Sequence, residues 1–302
     1  MSNDITIGII GGSGLGEALA DALGSGLEGE HRPDTPFGPP SAAIRVGNFD
    51  GVRIALLQRH GDGHALNPAA VPYRANIYAL KMLGVTHIIA SGATGSLRES
   101  IAPGDVVVCD QLIDKTNGRP KTFYDDVAVH VEFAEPFCPV MRQWLLRASG
   151  HVDNVTIHDG GTYVCMEGPS FSTKAESHMH RQWGADLVGM TALPEARLAR
   201  EAEIAYALLG LPTDYDCWRE REPSSAGMSL LEEIIGNLRR STEASIDVIR
   251  TALRDVSMLR EERSPAHDAL ALGIWTNRAH ITDDARERYA PLWGRHIEPA
   301  SA

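Results

Sequence analysis

Cysteine and positive charge are both scarce in this sequence, and each shortage argues against a class of protein. Four cysteines occur among 302 residues: Cys109, Cys138, Cys165 and Cys217. No two of them have C-x-x-C spacing, so we predict neither a metal site nor a disulfide framework. Lys and Arg number 28 against 40 Asp and Glu, a formal net charge of −12. Such a chain is a poor candidate for binding nucleic acid or an anionic membrane.

Long apolar runs and a secretion signal are missing as well. No stretch reaches the roughly 20 apolar residues of a membrane-spanning helix, and the N-terminus lacks a signal-peptide pattern. We therefore expect no membrane partner, and the sparse cysteines favour a reducing cytoplasm. The length suffices for one large α/β domain or two smaller ones. Apolar strand-like segments are spread through residues 5–213 without a clear linker, which favours one domain.

The stretch Asp186–Trp218 contains a short apolar strand, a helix and a second apolar strand. This order favours a parallel sheet, and ligands bind at the carboxyl ends of strands in such sheets. Thr191 follows the first strand, and Asp214 and Asp216 follow the second. On an extended chain the two carboxylates point to the same side, so one pKa rises and a neutral carboxyl becomes available as a proton donor. A solvated turn is the alternative, but the flanking apolar residues favour a site.

Two earlier strands also end in groups that suit an anion. The segment Ile5–Ile10 leads into a glycine loop that contains Ser13, and such a loop can present N–H groups to a phosphate. Its third glycine comes one place too early for the dinucleotide fingerprint, and a plain turn is equally compatible. The segment Val52–Leu57 leads into Arg59 and His60, and an arginine offers a planar fork of donors to an oxyanion. An exposed surface pair is the alternative there.

Small residues follow another buried-type strand, Thr86–Ala90. The cluster at 91–96 would let a planar ring or a phosphate lie against the backbone, although a simple turn is the usual structure of such a cluster. Helices are predicted within Pro68–Leu83, from Phe137 through Arg147, over Thr173–Trp183 with Ser172 or Thr173 as cap, and from about Leu230 to Leu259 with an interruption near Gly236.

In combination, these segments resemble the 5′-methylthioadenosine phosphorylases, within the trimeric purine nucleoside phosphorylase superfamily. The segments that carry the resemblance are residues 9–15, 58–61, 95–99, 134–138, 166–172, 189–191 with 194–195, and 213–218. The resemblance implies an α/β fold with a central, mostly parallel, twisted mixed sheet flanked by helices. It also implies a single domain over residues 1–302, with 228–302 as a C-terminal helical extension.

The implied reaction is phosphorolysis of 5′-deoxy-5′-methylthioadenosine to adenine and 5-methylthioribose 1-phosphate. Phosphate is then a co-substrate, no cofactor is needed, and the assembly is a homotrimer. Alternatives are a phosphorylase of another 5′-substituted adenosine, such as a 5′-halo or 5′-deoxy analogue, a non-catalytic purine-binding protein, and a nicotinamide-dependent dehydrogenase. The dehydrogenase assigns no role to Arg59 and His60 or to the acidic pair Asp214 and Asp216.

The resemblance also implies roles for individual residues. Phosphate would be held by Ser13, Arg59, His60, Ala93 and Thr191. Asp214 would share or donate a proton at purine N7, and Asp216 would accept from the 6-amino group. Met190 would lie against the ribose, and the base would meet Phe171, Val188, Ala93, Thr94 and Gly95. His64 and His130 would lie near the 5′ group, His130 reaching in from a neighbouring subunit. The sequence departs from many members at Gly92, where Thr is common, and at Pro212.

Overall fold

The computed structural model describes residues 5–12, 18–19, 27–153, 155–220 and 230–298. These residues form one sheet of eleven strands with helices packed against it. Parallel pairings outnumber antiparallel ones, six to four. The predicted single domain with a mostly parallel, mixed sheet is therefore confirmed. Among the described residues, no helix is both long and apolar enough to cross a membrane.

The strands follow one main path through the sheet, β2-β3-β4-β1-β5-β10-β9-β7, with β11, β6 and β8 branching from β5. Their bounds are β1 Thr6–Gly11, β2 Leu27–His31, β3 Ile44–Phe49, β4 Val52–Gln58, β5 His87–Ser96, β6 Val106–Val108, β7 Gln111–Lys115, β8 Ile157–Asp159, β9 Thr162–Met166, β10 Leu187–Gly189 and β11 Ala205–Asp214. The helices are α1 Tyr73–Met82, α2 Pro139–Ala148, α3 Lys174–Gln182, α4 Ala192–Glu201, α5 Leu230–Leu253, α6 Ser257–Glu261, α7 Asp283–Arg288 and α8 Ala290–Trp293.

The central strands are apolar on both faces, because helices cover both sides of the sheet. Successive side chains of a strand point to opposite faces. On β11, Tyr206 and Leu208 enter a core with α1, α4 and the C-terminal Trp293, whereas Ala207 and Leu209 enter a second core with α2 and α5. Nearly continuous apolar runs are thus required in these strands.

Strand β5 corrects two of the predictions made from sequence. The small residues at 91–96 continue the strand to Ser96 instead of turning. Two strands then pair with it in opposite directions: β11 lies parallel along most of its length, and β10 lies antiparallel against Gly95 and Ser96. The unit Asp186–Trp218 is therefore not a simple parallel β-α-β unit. Glycine allows this crowding, since a Cβ on Gly210 would lie 2.5 Å from Leu187 Cδ1.

The helix predictions hold in outline, with one break misplaced. Helix α3 begins after Thr173, whose side chain accepts from the Glu176 N–H in a full capping box. Helix α5 runs unbroken through Gly236 and ends at Leu253, before a separate short helix. Gly236 is exposed, and a Cβ there would meet nothing within 4 Å, so glycine at this position does not disturb packing.

Candidate active site

A cavity of about 340 Å³ opens at the carboxyl ends of β1, β4, β5, β10 and β11. This is where ligands bind in open α/β sheets. Its lining is Gly12, Arg59, His60, His64, Pro68, residues 92–95, Met166, Phe171, Ser172, residues 188–191, Thr213, Asp214, Asp216, Ile234 and Leu238. The structure therefore brings together every predicted site residue except Ser13, which lies outside the described residues, and His130.

Arg59 is held rigidly at one end of the cavity. Its side chain and that of Glu195 are both fully buried. Nε and Nη2 donate to the two carboxylate oxygens of Glu195 at 2.7 and 2.9 Å, and Nη1 donates to the Ser91 carbonyl at 2.8 Å. Burial alone would lower the pKa of Arg59, but the adjacent Glu195 carboxylate outweighs it and the pKa is raised. A fixed, permanently charged guanidinium therefore lines the cavity. Its full burial argues against the alternative, in which Arg59 and His60 form an exposed surface pair.

His60 presents a neutral ring to the same end of the cavity. Its Nδ1 lies 2.8 Å from the Leu66 carbonyl oxygen. A carbonyl can only accept, so Nδ1 carries the proton and Nε2 is left with a lone pair. Burial, with a smaller effect of Arg59, lowers the pKa of His60 to about 4. The ring stacks on His64 with centroids 4.2 Å apart. At neutral pH, His60 can therefore accept a hydrogen bond from a protonated oxyanion such as hydrogen phosphate.

Asp214 and Asp216 occupy the opposite end, because β1 and β5 separate β11 from β4 in the sheet. Asp214 ends β11, and its carboxylate accepts from the Thr213 hydroxyl and from the Asp216 N–H, both at 2.7 Å. Burial raises the pKa of Asp214, and the neighbouring Asp216 charge adds to the effect. Asp216 Oδ2 is buried and makes no hydrogen bond within the described residues. Asp214 can thus hold a proton at higher pH than an ordinary Asp, beside an acceptor that is left for a ligand.

The acidic pair comes together by a different route from the one predicted. The chain is not extended at 214–216: Asp216–Trp218 form a turn, and Asp216 adopts a left-handed φ of 49°. The register of β11 against β5 also shifts between Pro212 and Asp214. Pro212 is one of the positions at which the sequence departs from many family members. Turn geometry, and not strand alternation, places both carboxyls in the cavity.

Gly95 of β5 lies closely against both the acidic turn and β10. A Cβ on Gly95 would lie 3.0 Å from Asp216 Cβ and 3.2 Å from Val188 Cγ1, so glycine is required for this approach. Thr94 Oγ1 is buried without a hydrogen-bond partner in the described part of the chain. Phe171 lines the cavity but is 85% exposed, which places it at the mouth. The backbone of β5 and Val188 thus line the cavity beside the acidic turn.

The remaining lining includes residues that the sequence did not single out. Ile234 and Leu238 enter the cavity from α5, and their spacing of four residues places them on one face of the helix.

Glu195, which fixes Arg59, was noted in the sequence only as part of a matching segment. Its signal was a lone carboxylate in the apolar start of α4. Arg119, in the polar stretch after β7, gave no sequence signal.

His130 lies at the surface, outside the cavity of its own chain. Its ring centroid is 4.7 Å from that of Trp275. Trp275 and Leu272 are 70% and 91% exposed, so an apolar patch surrounds the histidine. The prediction that His130 serves a neighbouring subunit stays a prediction.

Comparisons with known proteins show which family the chain resembles. A sequence profile of the phosphorylase superfamily matches residues 6–254. The S-methyl-5′-thioadenosine phosphorylase of Chloroflexus aurantiacus is 48% identical over 96% of this chain and 98% of its own. A methylthioadenosine phosphorylase from an Antarctic soil metagenomic library superposes with a TM-score of 0.85 at 43% identity, covering 96% of this chain and 99% of that one. A mutant adenosine/methylthioadenosine phosphorylase from Schistosoma mansoni, in complex with methylthioadenosine, gives 0.79 at 34% identity over 91% and 100%.

Proposed function

We propose a residue-level mechanism from the premise that the chain belongs to the phosphorylase superfamily and, within it, to the S-methyl-5′-thioadenosine phosphorylases. It is a pentosyltransferase: phosphate attacks C1′ of 5′-deoxy-5′-methylthioadenosine, the C1′–N9 bond breaks, and adenine and 5-methylthioribose 1-phosphate are formed. The observation that carries the mechanism is one cavity with a buried, fixed cation at one end and a carboxyl of raised pKa at the other.

Phosphate lies at the cationic end. Arg59 uses three N–H groups on Glu195 and Ser91, and a guanidinium has five, so two remain for the anion. The His60 ring accepts from a P–OH group, and the side chain of Thr191 and the backbone at Ala93 complete the cradle. A positioned anion next to C1′ is the nucleophile and also stabilises the oxocarbenium-like transition state. The prediction that Ser13 adds a hydroxyl is retained.

Adenine leaves at the acidic end. As the C1′–N9 bond breaks, its electron pair enters the purine, and Asp214 supplies a proton at N7. Asp216 Oδ2 accepts from the 6-amino group, which satisfies an oxygen that is buried without a partner among the described residues. Across the whole reaction, the proton that Asp214 donates is replaced by the one that the attacking hydrogen phosphate loses, so atoms and charge balance.

The methylthio group meets an apolar wall. Ile234 and Leu238 of α5 and Pro68 line the cavity together with His64. Burying a methylthio group against such side chains is favourable, whereas the 5′-hydroxyl of adenosine would lose hydrogen bonds to water. This wall favours the methylthio substrate over adenosine. A 5′-halo or 5′-deoxy group is also apolar, and these analogues are the second candidate substrates.

Surface and thiol chemistry support the proposed assembly and location. The exposed apolar patch around His130, which includes Leu272 and Trp275, supports a homotrimer in which His130 completes a neighbour's 5′ pocket. All four cysteines are free thiols, as expected in a reducing cytoplasm. The reaction uses phosphate as co-substrate and needs no cofactor, and the role is salvage of the purine.

A phosphate-dependence assay tests the function. Adenine release is followed with 5′-methylthio-, 5′-chloro-, 5′-deoxy- and unsubstituted adenosine, each with and without phosphate. We expect release only with phosphate, and the highest kcat/KM for the methylthio substrate. Asp214→Asn serves as the matched variant, since it keeps the side-chain shape but has no acidic proton to give. Adenine release without phosphate would contradict phosphorolysis, and a clear preference for adenosine would contradict the assignment of the 5′ wall.

A further inference from the structure

Arg119 is a buried arginine to which the mechanism above gives no role. It follows β7 in a polar loop and is only 6% exposed. Its Nη1 donates to the carbonyl oxygens of Met190 and Leu193, both at 2.7 Å. Its Nη2 donates to the Glu167 carbonyl oxygen, and its Nε lies 3.2 Å from Glu167 Oε2. One guanidinium therefore ties the end of β9 to the connection between β10 and α4.

The clamped connection is part of the cavity wall. Met190 and Thr191 both line the cavity, and the Met190 carbonyl and the Thr191 N–H belong to one planar peptide group. Arg119 holds the carbonyl edge of this group. The Thr191 N–H donates to the Tyr163 hydroxyl at 3.3 Å, a longer bond. The orientation of the peptide thus depends chiefly on Arg119.

We propose that Arg119 is a positioning residue that fixes the Met190–Thr191 peptide for ribose and phosphate without touching either. This inference rests on the proposed function, which places ribose at Met190 and phosphate at Thr191. The base is read elsewhere, by Asp214 and Asp216 on β11 and the following turn. Loss of the clamp should therefore weaken ribose and phosphate binding and spare the binding of free adenine.

Arginine suits this role better than lysine. Its planar fork reaches three carbonyl oxygens on two connections, whereas a lysine ammonium is a compact point charge on a flexible stem. Arg119→Lys keeps the charge opposite Glu167 but cannot reproduce the fork. Arg119→Gln removes the charge and most donors, at greater risk to folding. The lysine variant is therefore the decisive one, and the glutamine variant extends the series if it folds.

The test measures binding of adenine and of 5′-methylthioadenosine by titration calorimetry without phosphate, so that no turnover occurs. For Arg119→Lys we expect the nucleoside Kd to rise roughly tenfold or more and the adenine Kd to change less than about twofold, where tenfold equals about 1.4 kcal/mol. The KM for phosphate should rise as well. The control is Arg142→Lys, which alters an ion pair of Arg142 Nη2 with Asp159 at 2.6 Å, outside the cavity lining, and should change neither Kd.

Two outcomes would overturn the inference. Equal weakening of adenine and nucleoside in Arg119→Lys would show general damage to the fold, and unchanged nucleoside binding would show that the clamp is not needed. The proposed function fails differently: the wild type would then bind the nucleoside but release no adenine when phosphate is added. The ratio of the two Kd values would still decide the role of Arg119 in that case.

Discussion

Substitution of Asp216 by Asn should reduce the preference for 6-aminopurines. Asp216 Oδ2 is buried without a partner in the described part of the chain, so a 6-amino N–H supplies its missing hydrogen bond. A 6-oxopurine instead places an acceptor against an acceptor. The amide of Asn can turn an N–H₂ donor toward a 6-oxo group, so the variant should tolerate both bases. Asn also tolerates the left-handed backbone at this position, where φ is 49°.

The magnitude follows from the hydrogen bond that is gained or lost. A hydrogen bond to a charged group contributes about 1.5–3 kcal/mol, and a buried carboxylate left unpaired costs at least as much. At about 1.4 kcal/mol per factor of ten, this difference predicts a wild-type preference of roughly 10- to 150-fold in kcat/KM. In Asp216→Asn the ratio of kcat/KM for the 6-amino substrate to that for the 6-oxo substrate should fall to within about threefold. The main reason is a lower kcat/KM for the 6-amino substrate.

The assay compares kcat/KM for 5′-methylthioadenosine and 5′-methylthioinosine. Asp50→Asn is a matched control, because Asp50 has a φ of 48° in the exposed turn between β3 and β4 and should leave the ratio unchanged. Equal kcat/KM for both substrates in the wild type would refute the reasoning, as would an unchanged preference in Asp216→Asn. A second readout uses pH: the Asp216 charge helps to raise the pKa of Asp214, so its removal should shift the alkaline loss of kcat to lower pH.

Three further results are expected. Arg59→Met leaves the Glu195 carboxylate buried without its cation, although the Tyr206 hydroxyl still donates to it at 2.8 Å, and this should cost about 3–5 kcal/mol of unfolding free energy in urea. Adding Glu195→Gln should restore part of that free energy, and equal losses in the single and double variants would contradict a coupled pair. Leu238→Ala should raise KM for methylthioadenosine roughly 3- to 10-fold but spare adenosine, and a parallel rise for both would remove Leu238 from the 5′ wall. Burial lowers the pKa of His60 to about 4, so the ring is mostly neutral above pH 5, and wild type and His60→Gln should show the same pH dependence of kcat between pH 5 and 7.

The sequence predicted the candidate site better than it predicted the local structure around it. Arg59 and Asp214 were found because polar residues at the ends of apolar strands are conspicuous, and such ends meet at one edge of a sheet. Ile234 and Leu238 were missed because apolar residues four apart on a helix normally indicate only a packed face. Arg119 was missed for another reason: its acceptors are backbone carbonyls, which leave no mark in the sequence.

The sequence by itself determined the strand core, because successive residues of β1 and β11 must be apolar when both faces of the strand are buried. It also determined which groups carry charge into an otherwise apolar interior. Only the tertiary structure decided how those groups act. Burial of Arg59 against Glu195 makes a fixed cation, and the turn at Asp216 places two carboxyls side by side. Hydrogen-bond partners and desolvation arise between segments far apart in the chain, and they set the pKa values on which the chemistry depends.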